Sequence, residues 1–151
     1  MTVRSEQVIS GIAPDRANGQ VQCAWGHFTY ADDGAVAAAE VMQMVQIPKN
    51  ARIIDILISW SALAITIGVG DGNDTTGWYS ALDLTNAGQM SLFGGVANGA
   101  EIDEGPNNYQ PGKVYSSAAD TIDVIPSGAI GATFTLDVCV MYDVRGGFSD
   151  Y

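Results

Sequence analysis

Residues 41–69, VMQMVQIPKNARIIDILISWSALAITIGV, decide the fold because two apolar runs alternate there with a period of two. Successive side chains of a β-strand point to opposite faces, so this period predicts strands with one buried face. Asp55 and Ser59 fall on the polar face of the first run. The apolar positions are Ile54, Ile56, Ile58 and Trp60, followed by Leu63, Ile65, Ile67 and Val69.

The same alternation returns near the end of the chain, at Phe134, Leu136, Val138, Val140 and Tyr142. Turn-forming residues separate the runs, and the whole pattern predicts about eight or nine strands. Strands with one apolar face each are buried best when two antiparallel sheets pack face to face. The sequence therefore predicts an all-β fold with a single antiparallel β-sandwich. Jelly-roll connectivity is favoured because the long segment 84–112 suits a Greek-key crossing better than a hairpin.

Composition along the chain predicts three parts. Residues 1–18 have weak periodicity and are expected to be an extended N-terminal arm. Residues 19–145 are expected to form the β-sandwich domain, with 84–112 as a long Gly/Pro-rich crossing loop. Residues 146–151 follow as a short C-terminal tail.

The net charge of the chain limits the classes of partner that it is expected to bind. The chain has 17 Asp and Glu against 6 Lys and Arg, which gives a formal net charge of −11. Phosphate binding needs clustered basic side chains, so a nucleic-acid partner is not expected. An acidic surface keeps the protein soluble and can steer it towards a basic partner surface.

The sequence predicts no membrane partner, and the spacing of its two cysteines leaves a disulfide possible without indicating one. No apolar run approaches the roughly 20 residues that a membrane-spanning helix needs, and the first residues, MTVRSEQ, lack the apolar core of a secretory signal. The two cysteines, Cys23 and Cys139, lie in apolar strand contexts, which favours buried free thiols.

An enzyme is disfavoured, and no catalytic residue or cofactor is predicted. His27 is the only histidine, which excludes a site with several histidine ligands and makes a Ser/His/Asp triad hard to assemble. We expect His27 to pack among the aromatic residues of its strand, and at least two of Trp25, Trp60 and Trp78 to lie in the core. Because the separation of two carboxylates is a tertiary property, a small glycosidase stays open as a minor alternative.

Asp71, Asn73 and Asp74 form a weak calcium candidate, and no other metal site is predicted. Calcium prefers several oxygen ligands, and the run DGND resembles the opening of a calcium loop. The run departs from the EF-hand pattern, because Thr76 occupies the position of the required glycine and no Glu closes the loop. A turn at the end of a strand is the simpler interpretation.

Four segments in a fixed order resemble capsid decoration (cement) or head-associated β-sandwich proteins of tailed bacteriophages. They are VQIPKNARIIDILISW, AITIGVGDGNDTTGWYSA, GKVYSSAADTIDVIPSG and ATFTLDVCVMYDV, and the match as a whole spans about residues 38–144. The resemblance rests on the order and spacing of strands and turns, and no catalytic motif carries it. It implies a non-enzymatic virion structural protein that binds the outer capsid surface and stabilises contacts between capsomers.

This resemblance implies the major capsid protein as the partner, and a homo-oligomer (dimer or trimer) on the capsid exterior, assembled in the host cytoplasm. The arm is the expected capsid contact because arms gain contact area when they order on assembly. Aromatic residues in loops and tails often anchor subunit contacts. The expected capsid-contact residues are Val3, Arg4, Val8, Ile9 and Ile12, and the expected subunit-contact residues are Phe93, Tyr109 and Tyr151.

A receptor- or glycan-binding β-sandwich module of a phage tail fibre or spike is the alternative, since β-sandwiches often display ligand loops. It predicts exposed aromatic and acidic residues clustered around the loops at 71–79 and 101–109.

Overall fold

In a computed structural model of the chain, residues 21–92 and 112–144 are described in full, and two further strands are described by their backbone. Ten β-strands and one helical turn occur in these parts of the chain. The strands are β1 (Val3–Arg4), β2 (Val21–Thr29), β3 (Met42–Ile47), β4 (Ala51–Trp60), β5 (Thr66–Asp71), β6 (Tyr79–Asp83), β7 (Gly88–Ser91), β8 (Gly95–Ala97), β9 (Asp120–Pro126) and β10 (Thr135–Val144). The helical turn, α1 (Tyr30–Asp33), follows β2.

The strands form two sheets of five. Sheet I has the order β1-β3-β9-β5-β6, and sheet II has the order β2-β10-β4-β7-β8. Neighbouring strands are antiparallel except for β1, which runs parallel to β3. The prediction of an all-β, antiparallel sandwich is confirmed. Most connections of the chain cross from one sheet to the other, as a jelly roll requires. The parallel strand β1 and the additional strand β8 lie outside the eight-strand jelly-roll pattern. Jelly-roll connectivity therefore stays a prediction.

The core lies between the two sheets, and the alternating apolar residues fill it. Ile56, Ile58 and Trp60 of β4 are buried, and so are the alternating positions of β10 from Leu136 to Val144. Phe134, just before β10, packs against Phe28 of β2 with 6.3 Å between the ring centroids. Trp60 and Trp78 are both buried and Trp25 is exposed, so the prediction that at least two of the three tryptophans lie in the core is confirmed.

The prediction that Ile54 shares the core face of Ile56 is wrong, because β4 contains a β-bulge. Asp55 pairs with Met141 and Ile53 pairs with Tyr142, so Ile54 is the extra residue. The bulge reverses the alternation, and Ile53 is fully buried while Ile54 is only partly buried. Arg52 thereby reaches the outer face of the sheet, where it pairs with Asp143.

The segment 84–112 is not only a crossing loop. Its described part contains β7 and β8, which extend sheet II beyond β4. Met90 and Leu92 are buried, and this burial of apolar side chains explains why the segment pairs with the sheet. The glycines of this segment suggested an irregular loop, but a β-hairpin of two short strands also accommodates glycines.

Candidate docking surface

The outer face of sheet II is built from the alternate residues that point away from the core. Trp25 of β2 lies opposite Cys139 of β10, and Cys139 lies opposite Leu57 of β4. These three side chains therefore form one row across three strands, because directly opposite residues of antiparallel strands share a face. We call this outer surface, with Val21, Cys23, Trp25 and Leu57 as its apolar members, the sheet II face.

Three of the four large apolar side chains that are exposed among the described residues lie on the sheet II face. Trp25 is 60% exposed, Val21 is 57% exposed and Leu57 is 37% exposed. Cys139, between Trp25 and Leu57, is 2% exposed. Exposed apolar residues are ordinary when they are single, but a contiguous set rimmed by polar groups is typical of an interaction surface.

The outer face of sheet I has a different character. Gln43, Asp123 and Gly70 lie opposite one another on β3, β9 and β5. The loop after β5 covers part of this face, since a Cβ on Gly70 would lie 1.9 Å from the carbonyl oxygen of Asp74. The two outer faces of the sandwich are therefore unequal, and the apolar, open one belongs to sheet II.

Ion pairs and one hydrogen bond border the sheet II face. The Nδ1 atom of His27 lies 2.5 Å from the Oδ1 atom of Asp137. At the opposite end of the face, the Nε atom of Arg52 donates a hydrogen bond of 3.0 Å to Asp143. Between them, the hydroxyl of Ser91 donates to Asp55 over 2.5 Å.

A cavity of about 370 Å³ opens beside Trp25 on this face. Trp25, Leu57 and Asp137 are among the residues that line it. The polar side chains of Ser59 and Gln89 also line it. A mostly apolar hollow with a few polar groups is the usual construction of a binding pocket.

Both cysteines lie on β-strands of this sheet, and they differ in access. Cys139 is buried as predicted, whereas Cys23 is exposed, so the prediction of two buried thiols is wrong for Cys23. Neither forms a disulfide. Burial, and to a smaller extent the neighbouring Cys23, raises the pKa of the Cys139 thiol to about 11, which keeps it protonated at neutral pH.

His27 lies on a strand as predicted, but it does not pack among core aromatic residues. It is exposed on the sheet II face, because its neighbours Gly26 and Phe28 are the residues that point inwards. The aromatic letters around His27 suggested burial, but alternation assigns Trp25 and His27 to the same outer side.

The weak calcium candidate forms a tight turn at the end of β5. The Oδ1 atom of Asp71 accepts the backbone N–H groups of Asn73 and Asp74 at 2.9 and 3.0 Å. Its Oδ2 atom pairs with the ammonium group of Lys113 and accepts the hydroxyl of Tyr115 at 2.9 Å. Calcium binding by these residues stays a prediction, and it would require Asp71 to give up its pairing with Lys113. In the parts of the chain that are described, no group of three or more His, Cys, Asp and Glu residues is arranged to hold a metal ion.

Two buried carboxylates near this turn have pKa values displaced in opposite directions. Burial acts to raise the pKa of Asp71, but the hydrogen bonds from Lys113, the backbone and Tyr115 outweigh it, so the pKa is lowered. Burial raises the pKa of Asp123 to about 6; the hydroxyl of Thr121 opposes this shift, and the neighbouring carboxylates add to it. The ionisation of both carboxylates therefore affects the stability of the fold, because each is buried and hydrogen-bonded within the protein.

The residues that the sequence assigned to capsid contact are only partly located. The backbone of Val3 and Arg4 pairs in parallel with Met42 and Gln43 of β3, at the edge of sheet I. The other predicted contact residues lie outside the described residues: Val8, Ile9, Ile12, Phe93, Tyr109 and Tyr151. Sequence analysis did not single out the sheet II face, although Leu57 between Asp55 and Ser59 was a signal, since it is an apolar residue on the polar side of its strand.

Three solved structures provide the comparison. A chain in the capsid of Ralstonia phage GP4 matches with a TM-score of 0.64 and 15% identity, over 95% of this chain and 98% of that chain. This is a fold found in phage capsids. A chain in the cyanophage Pam1 capsid asymmetric unit matches with a TM-score of 0.59 and 16% identity, over 88% of this chain and 91% of that chain. A chain in the acid-stable capsid of Helicobacter pylori bacteriophage KHP30 matches with a TM-score of 0.55 and 10% identity, over 87% and 94%.

The predicted resemblance to structural proteins of phage heads is thus confirmed for the fold. No protein-family model matches the sequence, and no curated protein matches it. Among the described residues, none of the helical structure is long and apolar enough to cross a membrane.

Proposed function

We propose that this chain is a non-enzymatic phage virion structural protein that binds the outer capsid surface and stabilises contacts between capsomers. The observation that carries the proposal is the fold, which spans nearly the whole length of chains from three phage capsids. The major capsid protein is the proposed partner, on the capsid exterior of the virion after assembly in the host cytoplasm. Nucleic acid, membrane and cofactors have no part in this role.

The physical properties of the described chain support a part in bridging subunits. A two-sheet sandwich with a continuous apolar core is a stiff body, because close-packed interiors have low compressibility. The net charge of −11 favours docking onto basic surface patches. Many copies on a symmetric shell would also add avidity to modest individual contacts.

The proposed roles of the three segments of the chain follow the predicted domains. Residues 1–18 serve as the arm, with Val3, Arg4, Val8, Ile9 and Ile12 as capsid contacts, residues 19–145 as the body and 146–151 as the tail. Pairing of Val3–Arg4 with the edge of sheet I supports an arm that adds to sheet edges, since unpaired edges accept further strands. Phe93, Tyr109 and Tyr151 are the proposed contacts in a dimer or trimer.

The alternative of a receptor- or glycan-binding module of a tail fibre or spike has less support. It predicts exposed aromatic residues around the loop 71–79, yet Trp78 is fully buried and Tyr79 nearly so. The second predicted loop, 101–109, lies outside the described residues.

Cosedimentation with expanded capsids that lack this protein tests the proposal. The expected result is saturable binding, with copies at fixed symmetric positions in particle images. A variant lacking residues 1–18 is expected to lose most of the binding, and full binding by this variant would remove the arm from the proposal. Absence of binding by the full chain, with the protein found on tails or fibres, would favour the alternative.

A further inference from the structure

We infer that the cavity beside Trp25 on the sheet II face receives a lysine or arginine side chain from a basic protein surface on the capsid. This inference rests on the proposed function and names the surface of the body that makes the contact. The partner surface is expected to combine apolar contact area with positive charge.

The apolar part of the argument begins with Trp25. A side chain of this size that remains 60% exposed on a strand leaves much apolar area in water. Tryptophan is enriched among the residues that dominate binding energy in protein interfaces, particularly where neighbouring groups exclude water. Leu57 lines the same cavity, and Cys23 lies two residues before Trp25 on the same face, so Trp25 has apolar neighbours on the sheet II face.

The charge of the sheet II face determines which charge the partner surface should carry. Among the residues that the structure describes, the face carries the carboxylates of Asp55, Asp137 and Asp143, and its cationic groups are Arg52 and, when protonated, His27. Arg52 is held by Asp143, so the described residues leave a net negative charge near the cavity. A second copy of the chain would bring the same negative face and a net charge of −11, whereas a basic surface is complementary.

The lining of the cavity fits a long cationic side chain. Asp137 has one oxygen, Oδ1, against His27, and its Oδ2 atom accepts no hydrogen bond from the described residues. Ser59 and Gln89 likewise have side-chain groups that make no hydrogen bond within the described residues. The methylene stem of Lys or Arg can pack on Leu57 while the charged end reaches Asp137 and the indole ring.

The test compares two variants with two matched controls in capsid cosedimentation. Trp25→Ser and Asp137→Asn are each expected to weaken binding at least tenfold. Val114→Ser removes another exposed apolar side chain, 43% exposed, which lies opposite Arg52 near the start of β4 and does not line the cavity, and Asp32→Asn removes another exposed carboxylate. Both controls are expected to bind as the unmodified chain does. Binding of the unmodified chain is expected to weaken with added salt, and less steeply for Asp137→Asn.

Cys23 provides a second readout on the same face that does not depend on a substitution. Its thiol is exposed in the free protein, so alkylation is expected to be fast in solution and slowed at least tenfold on capsids. Mass spectrometry of the recovered protein measures both rates.

The outcomes separate this inference from the proposed function. If the chain binds capsids and Trp25→Ser binds equally well, the inference is overturned and the proposed function stands. If the unmodified chain does not bind capsids, both are overturned. If Trp25→Ser instead converts a homo-oligomer to a monomer in sedimentation equilibrium, a second copy covers the face and the assignment to a basic partner is wrong.

Discussion

Gly26 of β2 and Met44 of β3 lie at a point where the two sheets come into backbone contact. A Cβ atom on Gly26 would be 2.1 Å from the carbonyl oxygen of Met44. Glycine is therefore required at this position for lack of space. The close approach joins β2, an edge strand of sheet II, to the opposite sheet.

Gly26→Ala is accordingly expected to destabilise the fold by more than about 3 kcal/mol, because backbone atoms cannot move aside as a flexible side chain can. Chemical denaturation measures the free energy of unfolding. Gly131→Ala is the matched control, since a Cβ there meets no atom within 4 Å. Equal stability of the two variants would contradict the close packing of β2 on β3.

Lys113→Met is expected to lower the free energy of unfolding by about 3 kcal/mol, because it leaves the buried carboxylate of Asp71 without its cation. The ammonium group also lies 4.9 Å from the ring centroid of Tyr115 and 5.7 Å from that of Trp78. Lys49→Met removes an exposed lysine and is expected to change stability by less than about 0.5 kcal/mol. Denaturation midpoints that agree between the two variants would argue against this ion pair as a stabilising contact.

Asp123 is expected to make the protein less stable as pH rises. Its pKa is raised to about 6 in the folded protein, so between about pH 4 and pH 6 the folded state keeps a proton that the unfolded chain has released. The free energy of unfolding therefore falls over this range, by about 1–3 kcal/mol, and the loss is complete above it.

Asp123→Asn is expected to abolish this fall, so the variant gains stability relative to the unmodified chain between pH 4 and pH 7. Urea denaturation at several pH values measures the difference. Asp32→Asn serves as the control for an exposed carboxylate. A stability difference that stays constant with pH for Asp123→Asn would refute the shifted ionisation.

The two thiols are expected to react at very different rates. Cys23 is exposed and should be alkylated within the normal course of a labelling experiment at pH 8, whereas Cys139 is buried and its pKa is raised to about 11. Mass spectrometry is expected to find one label per folded chain and two labels in denaturant. Two labels at equal rates in the folded protein would contradict the burial of Cys139.

Alternation along the strands predicted the sandwich because every second side chain of a strand is buried in the core. This burial is visible in the sequence as apolar residues at every second position. The same rule did not predict the orientation of Ile53 and Ile54, since a bulge depends on how β4 pairs with β10. Nor did it distinguish Trp25 from Trp60, because both alternate correctly and only the assignment of inner and outer faces separates them. The sheet II face, as a property of three strands side by side, had no signal within any single stretch beyond Leu57.

The bulge at Ile54 has a consequence for how this chain can vary. Because it shifts the alternation by one residue, the first part of β4 buries odd-numbered positions and the second part buries even-numbered ones. Regular pairing that kept Ile54 in the ladder would turn Arg52 towards the core, away from Asp143, whereas deletion of Ile54 would leave Ile53 and Ile56 buried in a single phase and Arg52 on the outer face. Position 54 is therefore the place where β4 can lose one residue and still bury the same side chains.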